Sequence, residues 1–247
     1  MKYTTPVSVV LAAASLLLLG KLLPSSAADA QSAQVRKGNQ IMEELAKKSV
    51  SSVNKKIEAR DQRERLQKLS SQPLSVRFQN SLIMGDSLAE AFQDYQLLNS
   101  SSVLAVRGRR TDNINKEIAA AITLAPRNIF LSYGMNDLEY CRGNAKRFIS
   151  QYKEQIHKLK RALPDTHIYV NSLIPMDASA ISKTPVYAKY KEFNKALKRM
   201  CKEEKITYID NTTLMDWSSS VYEIDGVHPK YSYYPIWLAH MAEEAAI

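Results

Sequence analysis

From residue 77 onward, short apolar runs alternate with longer segments in which apolar residues recur every three or four positions. The first run is Ser81-Leu82-Ile83-Met84, and the pattern predicts a helix over residues 87–98 after it. A second run at 103–106 precedes a helix over 113–124, with Asp112 placed to cap its N-terminus. A third run at 128–132 leads into a long helix over 144–163 that Pro164 stops. The fourth run, 167–173, is followed by a helix over 186–204. The fifth, 206–210, is followed after a longer loop by a last helix over 234–245. Runs without polar alternation are buried on both faces. Five of them separated by helices predict an α/β fold, a five-stranded parallel sheet covered by helices on both sides.

The first 75 residues read differently. Lys2 precedes an apolar run over residues 6–20, shorter than the roughly 20 residues of a membrane span but suited to a signal-peptide core. Ala28-Asp29-Ala30 has the small-x-small form of a cleavage site, which places the mature end at Gln31. The alternative is a retained anchor, with Leu22 and Leu23 extending the run past Lys21. Either way the chain is predicted to be exported, and residues 1–30 are its targeting segment. Residues 31–75 form a basic, partly helical stalk. Ile41 and Leu45, and Val53 and Ile57, are spaced four apart, but no apolar stripe runs through the segment. The remaining residues, 76–247, hold the globular domain.

Composition narrows the function classes. The chain has 247 residues, 45% hydrophobic and 24% charged, which excludes collagen-like and wholly disordered sequence. Its two cysteines cannot build a disulfide framework or a four-cysteine metal site. Net charge is +9, but residues 31–75 carry +5 of it (10 basic, 5 acidic) and residues 76–247 only +3 (22 basic, 19 acidic). A mildly basic domain without a recognised binding motif does not read as a nucleic-acid partner. The basic stalk reads as a solvated helix or flexible tether, with contact to an anionic membrane or wall polymer as the alternative.

In a parallel α/β sheet the site lies beyond the carboxyl ends of the strands. The first strand runs into Gly85-Asp86-Ser87 and the second into Arg107-Gly108-Arg109-Arg110. The third runs into Gly134-Met135-Asn136-Asp137, and downstream of the fifth comes Asp225-Gly226-Val227-His228-Pro229. Serine, asparagine, aspartate and histidine thus reach one edge from separate loops. A serine hydroxyl becomes a nucleophile when a histidine takes its proton and a carboxylate holds that imidazole in the right tautomer. Attack on an ester creates an oxyanion that backbone N–H groups and an asparagine amide can stabilise. The three-residue step from Asp225 to His228 lets both sit in one loop.

These blocks, LIMGDSLAEAF, SYGMNDLE and DGVHP, resemble those of SGNH hydrolases, the GDSL lipase/esterase family, over residues 78–240. The resemblance implies a flavodoxin-like three-layer α/β/α sandwich and hydrolysis through an acyl-serine intermediate without metal or organic cofactor. It assigns Ser87 as nucleophile, His228 as base and Asp225 as its orienting acid. It makes the N–H groups of Ser87 and Gly108 and the amide of Asn136 the oxyanion hole. Arg109 and Arg110 depart from the small residues that many relatives carry after the glycine.

Arg107, Arg109 and Arg110 read as a solvated loop or as a site for an anionic group on the substrate. Trp217, Tyr231, Tyr233 and Tyr234 read as core, with sugar stacking or an acyl-pocket wall as the alternative. His157, His167 and His240 read as structural, and Cys141 and Cys201 are candidates for a disulfide. The resulting expectation is an exported serine esterase acting on O-acyl esters, foremost O-acetyl, of a carbohydrate or cell-envelope polymer. The rivals are a lipase or lysophospholipase, an O-acyltransferase with the same triad, and a tethered binding protein with an inactive one.

Overall fold

The computed structural model describes residues 25–247, so the apolar run at 6–20 lies outside the described residues. The described residues fall into two units that divide between residues 63 and 64. Helix α1 (Ser25–Ser70) is 46 residues long, passes through Ala28-Asp29-Ala30, and leaves Val35, Ile41, Met42, Leu45, Val53 and Ile57 exposed. Among the described residues no helix is long and apolar enough to cross a membrane.

The second unit begins within the end of α1, continues through the single turn α2 (Leu74–Arg77) and then alternates strands and helices. In order these are β1 (Ser81–Gly85), α3 (Ser87–Asp94), β2 (Val103–Ala105), α4 (Asn115–Leu124), β3 (Asn128–Ser132), α5 (Met135–Tyr140) and α6 (Ala145–Ala162). There follow β4 (His167–Asn171), α7 (Ala178–Lys183), α8 (Tyr190–Glu204), β5 (Thr207–Ile209) and α9 (Tyr233–Glu244). All five strands pair in parallel, in the order β2-β1-β3-β4-β5. This is the doubly wound order in which the chain reverses direction across the sheet between β1 and β3. Leu82, Ile83, Met84, Ile129, Phe130, Leu131 and Val170 are all buried, so their strands bury both faces as the uninterrupted apolar runs require. Helices α4, α6 and α8 pack side by side, and Phe92 of α3 packs on Tyr234 and Trp237 of α9.

Local chemistry shifts several predicted boundaries. Helix α3 stops at Asp94 rather than near residue 98, because Gln96 turns into the left-handed region at φ 56°. Asp112 does not cap α4, which begins at Asn115 with Ile114 in the cap position. The Asp112 carboxylate instead pairs with Arg110 at 3.0 Å. The helix predicted over 186–204 divides into a 3-10 turn (Pro185–Lys189) and α8, since proline opens the segment. Helices α5 and α7, six residues each, lie in segments read as loops. A disulfide is not formed: Cys141 and Cys201 are both free and buried.

Candidate active site

Strand β1 delivers Ser87 through a turn that admits only a very small residue. A Cβ on Gly85 would stand 2.5 Å from the Ala89 Cβ and 2.8 Å from the Ser132 carbonyl oxygen, closer than packing allows. Asp86 then caps α3, its carboxylate accepting from the N–H of Leu88 at 3.1 Å. Ser87 is therefore the first helical residue, where the backbone N–H has no partner inside the helix. Its hydroxyl lies 2.9 Å from His228 Nε2.

His228 is set by a loop that closes on itself. Asp225 Oδ1 accepts from the N–H groups of Val227 (2.8 Å) and His228 (2.9 Å), while Oδ2 meets His228 Nδ1 at 2.7 Å. Burial raises the Asp225 carboxyl, but these N–H groups and the imidazole outweigh it and hold the group below its ordinary value. Helix α7, unseen in the sequence pattern, anchors this loop. Its cap Asp177 donates its N–H to the Gly226 carbonyl at 2.8 Å and accepts from the Ser219 hydroxyl on Oδ2. Serine, histidine and aspartate thus form one continuous hydrogen-bonded line, with Nδ1–H committed to Asp225 and Nε2 left to accept from the serine.

Gly108 sits in the turn after β2, where Arg109 donates its N–H to the Val106 carbonyl and φ is +77°. That conformation favours glycine. Asn136, at the start of α5, donates from Nδ2 to Asp86 Oδ2 at 3.2 Å and to the Arg109 carbonyl at 3.1 Å. The amide read as an oxyanion donor thus ties the serine turn to the Gly108 turn.

Each of the three arginines has a carboxylate partner. Arg109 pairs with the buried Glu117 at 2.7 Å, and Arg110 pairs with Asp112 and lies over the Tyr140 ring at 4.2 Å. Of the three, only Arg107 borders the groove at Ser87, where Glu90 holds it at 3.1 Å. Tyr233 is core, Trp217 bonds to the Thr212 carbonyl, Tyr231 is exposed, and Tyr234 is buried while walling the groove. His157 faces Glu204 at 3.0 Å, remote in sequence and in contacts from the serine.

Two buried carboxylates behind the serine were not read as site residues. Burial, with the charge of Asp137 adding, pushes the Asp86 carboxyl up to about 7. Burial likewise pushes Asp137 up to about 6, although Thr111 donates to its Oδ1 through N–H (3.1 Å) and Oγ1 (2.6 Å). Among the described residues Asp137 Oδ2 has no partner. A carboxyl raised in the folded state binds its proton more tightly there than in the unfolded chain. Its contribution therefore favours folding at low pH and is lost as pH rises from about 4 to about 6. Asp137→Asn removes that loss and keeps an oxygen for Thr111. The stability of the variant minus that of the wild type should rise by about 2–3 kcal/mol between pH 4 and pH 7, as read by denaturant unfolding. A pH-independent difference would contradict the raised value.

Space around the serine is uneven. An open groove of about 420 Å³ is lined by Ser87, Asp94, Tyr95, Arg107, Glu223, Asp225, His228 and Tyr234. Beneath Asp86, between Leu88, Met135, Leu173 and Trp237, the cavity is only about 20 Å³. That is room for about one water.

Comparison with known proteins agrees with this geometry. The GDSL-like Lipase/Acylhydrolase family model matches residues 78–234. No curated protein sequence matches the chain. Among solved structures, a carbohydrate esterase family 3 protein from Talaromyces cellulolyticus superposes with a TM-score of 0.54 at 16% identity, covering 67% of this chain and 95% of that one. A GDSL-like lipase from Bacteroides thetaiotaomicron gives 0.51 at 16%, covering 67% and 86%. An acetylxylan esterase from Geobacillus stearothermophilus gives 0.51 at 12%, covering 67% and 93%. At these identities the structural likeness speaks for the fold, and the family match carries the classification. The chain belongs to the GDSL-like Lipase/Acylhydrolase family and is a serine ester hydrolase.

Proposed function

We propose that this chain is an exported esterase that removes short acyl groups, foremost acetyl, from hydroxyls of a carbohydrate or cell-envelope polymer. The observation that carries the reading is the hydrogen-bonded line Ser87–His228–Asp225 opening on a wide groove walled in part by Tyr95 and Tyr234, with only about 20 Å³ behind the serine turn. The groove at Ser87 has room for a sugar, and the buried side of the serine turn adds no acyl slot to it. The likeness to a carbohydrate esterase and an acetylxylan esterase supports the same choice. Export rests on Lys2, the apolar run at 6–20 and the small residues near 30.

In the proposed cycle His228 Nε2 takes the Ser87 proton as Oγ attacks the ester carbonyl. The oxyanion is held by the N–H groups of Ser87 and Gly108. The Asn136 amide gives up its 3.1 Å bond to the Arg109 carbonyl and turns to the same oxygen. The imidazolium returns its proton to the leaving alcohol. Water, deprotonated by the same nitrogen, then attacks the acyl-serine, and the imidazolium returns that proton to Ser87 Oγ as the acid is released. The test is the kcat/KM of the full chain on acetyl and decanoyl p-nitrophenyl esters. The acetyl ester should be favoured by at least about tenfold, a misfit of more than one methylene. A decanoyl preference would make the protein a lipid esterase.

A further inference from the structure

We propose that the groove at Ser87 selects the alcohol half of its ester by charge, accepting uncharged sugars and rejecting anionic ones such as uronates and sugar phosphates. The inference rests on the ester-hydrolase reading and adds the class of alcohol, which the loop arginines would otherwise have assigned to anions.

The groove's lining carries three carboxylates, Asp94, Glu223 and Asp225, against one guanidinium, Arg107. That guanidinium is already engaged. Glu90 lies 3.1 Å from its Nε and Asp94 3.9 Å from an Nη, both carried by α3. The other two arginines of the loop are spent on Glu117 and Asp112. The one guanidinium of the groove's lining is thus shared with two carboxylates of α3. Glu223, exposed and two residues before Asp225, has neither ion pair nor hydrogen bond to its carboxylate among the described residues. Tyr234, in the groove wall, feels this field. After burial, neighbouring Tyr95 and the charges of Asp86, Glu223 and Asp225 push its hydroxyl above its ordinary value. The sign is local, since the chain as a whole carries +9.

The other lining suits a sugar. Tyr95 ends α3 partly exposed in the groove, braced edge-on by Tyr231 at 5.2 Å and packed on Tyr234 at 5.1 Å. A braced ring offers a flat apolar face to the C–H side of a pyranose. Glu223 and Asp94 are hydrogen-bond acceptors only, and hydroxyl groups are donors that match them. A carboxylate or phosphate at the same place would face these like charges and be repelled.

The experiment uses the full chain and two acetylated methyl glycosides that differ at one carbon, a glucoside and the matching glucuronide. Each kcat/KM is divided by the same protein's value on p-nitrophenyl acetate. The glucoside should be favoured by about tenfold at low salt, the size of one like-charge encounter in such a groove. The preference should shrink as salt is raised to 1 M, where the screening length is about 3 Å. Glu223→Gln should cut it severalfold, and Glu223→Lys should cancel or reverse it. Equal rates on the two glycosides, with p-nitrophenyl acetate hydrolysed, would overturn the inference and leave the esterase reading standing. So would a preference that salt and both Glu223 variants leave unchanged. Loss of hydrolysis on every ester would instead remove the esterase reading on which the inference rests.

Discussion

Replacing Ser87 by alanine should lower kcat on an acetyl ester by about 10⁶-fold, the loss seen when a nucleophile of this kind is deleted from its triad. In the groove Ser87 is the residue whose hydroxyl meets an imidazole, at 2.9 Å. Without it His228 can only activate water, which is not held in line with the carbonyl. The fold has no reason to change. Alanine suits the first turn of α3, and the cap from Asp86 to the Leu88 N–H is untouched. Stopped assays against wild type, with a melting curve of each protein, check both statements. A fall of less than about a hundredfold would mean that the measured hydrolysis does not pass through this hydroxyl.

Asp225→Asn is the second large effect, a fall in kcat of about 10⁴-fold with the loop intact. The two oxygens of Asp225 have separate tasks. Oδ1 receives the Val227 and His228 N–H groups and an asparagine oxygen can still do so. Oδ2, 2.7 Å from His228 Nδ1, becomes an NH₂ group. A donor there forces Nδ1 to accept, so the ring proton moves to Nε2. The nitrogen facing Ser87 then cannot take its proton. Asp225→Ala removes both tasks and should additionally loosen the turn. The comparison of kcat for the two variants with their melting temperatures separates orientation of the ring from support of the loop. An Asp225→Asn enzyme within tenfold of wild type would show that the carboxylate does not set the tautomer.

The sheet and its site edge were legible because both are written in local patterns. Five apolar runs announced five parallel strands, and Ser87, Gly108 and Asn136 each lie a few residues past one of them, while Asp225 and His228 come after the long loop that follows β5. The GDSL-like family match over residues 78–234 bears out the resemblance that those blocks carried. What stayed hidden depends on contacts between distant segments. Helix α7 has no apolar stripe of its own, yet Asp177 at its cap fastens the His228 loop 49 residues later through Gly226. The arginines after β2 looked free because their partners Glu90 and Glu117 lie on helices on either side of them in sequence. Asp86 and Asp137 are adjacent to the motif residues Ser87 and Asn136. Their burial, which raises both carboxyls, comes only from the assembled sheet. The groove's acidic lining joins α3 to the loop at Glu223, a pairing that no spacing rule encodes.

The central claim is that Ser87 is the covalent nucleophile, and an alkyl fluorophosphonate tests it most directly. An activated serine oxygen forms a bond to phosphorus as the P–F bond breaks, and the proton leaves with fluoride. The full chain should gain one adduct mass, mapped by peptide analysis to the segment containing Gly85-Asp86-Ser87, in step with loss of esterase activity. Ser87→Ala should gain none, and Asp225→Asn should react far more slowly. An adduct on another residue, or full loss of activity without any adduct at Ser87, would contradict the account.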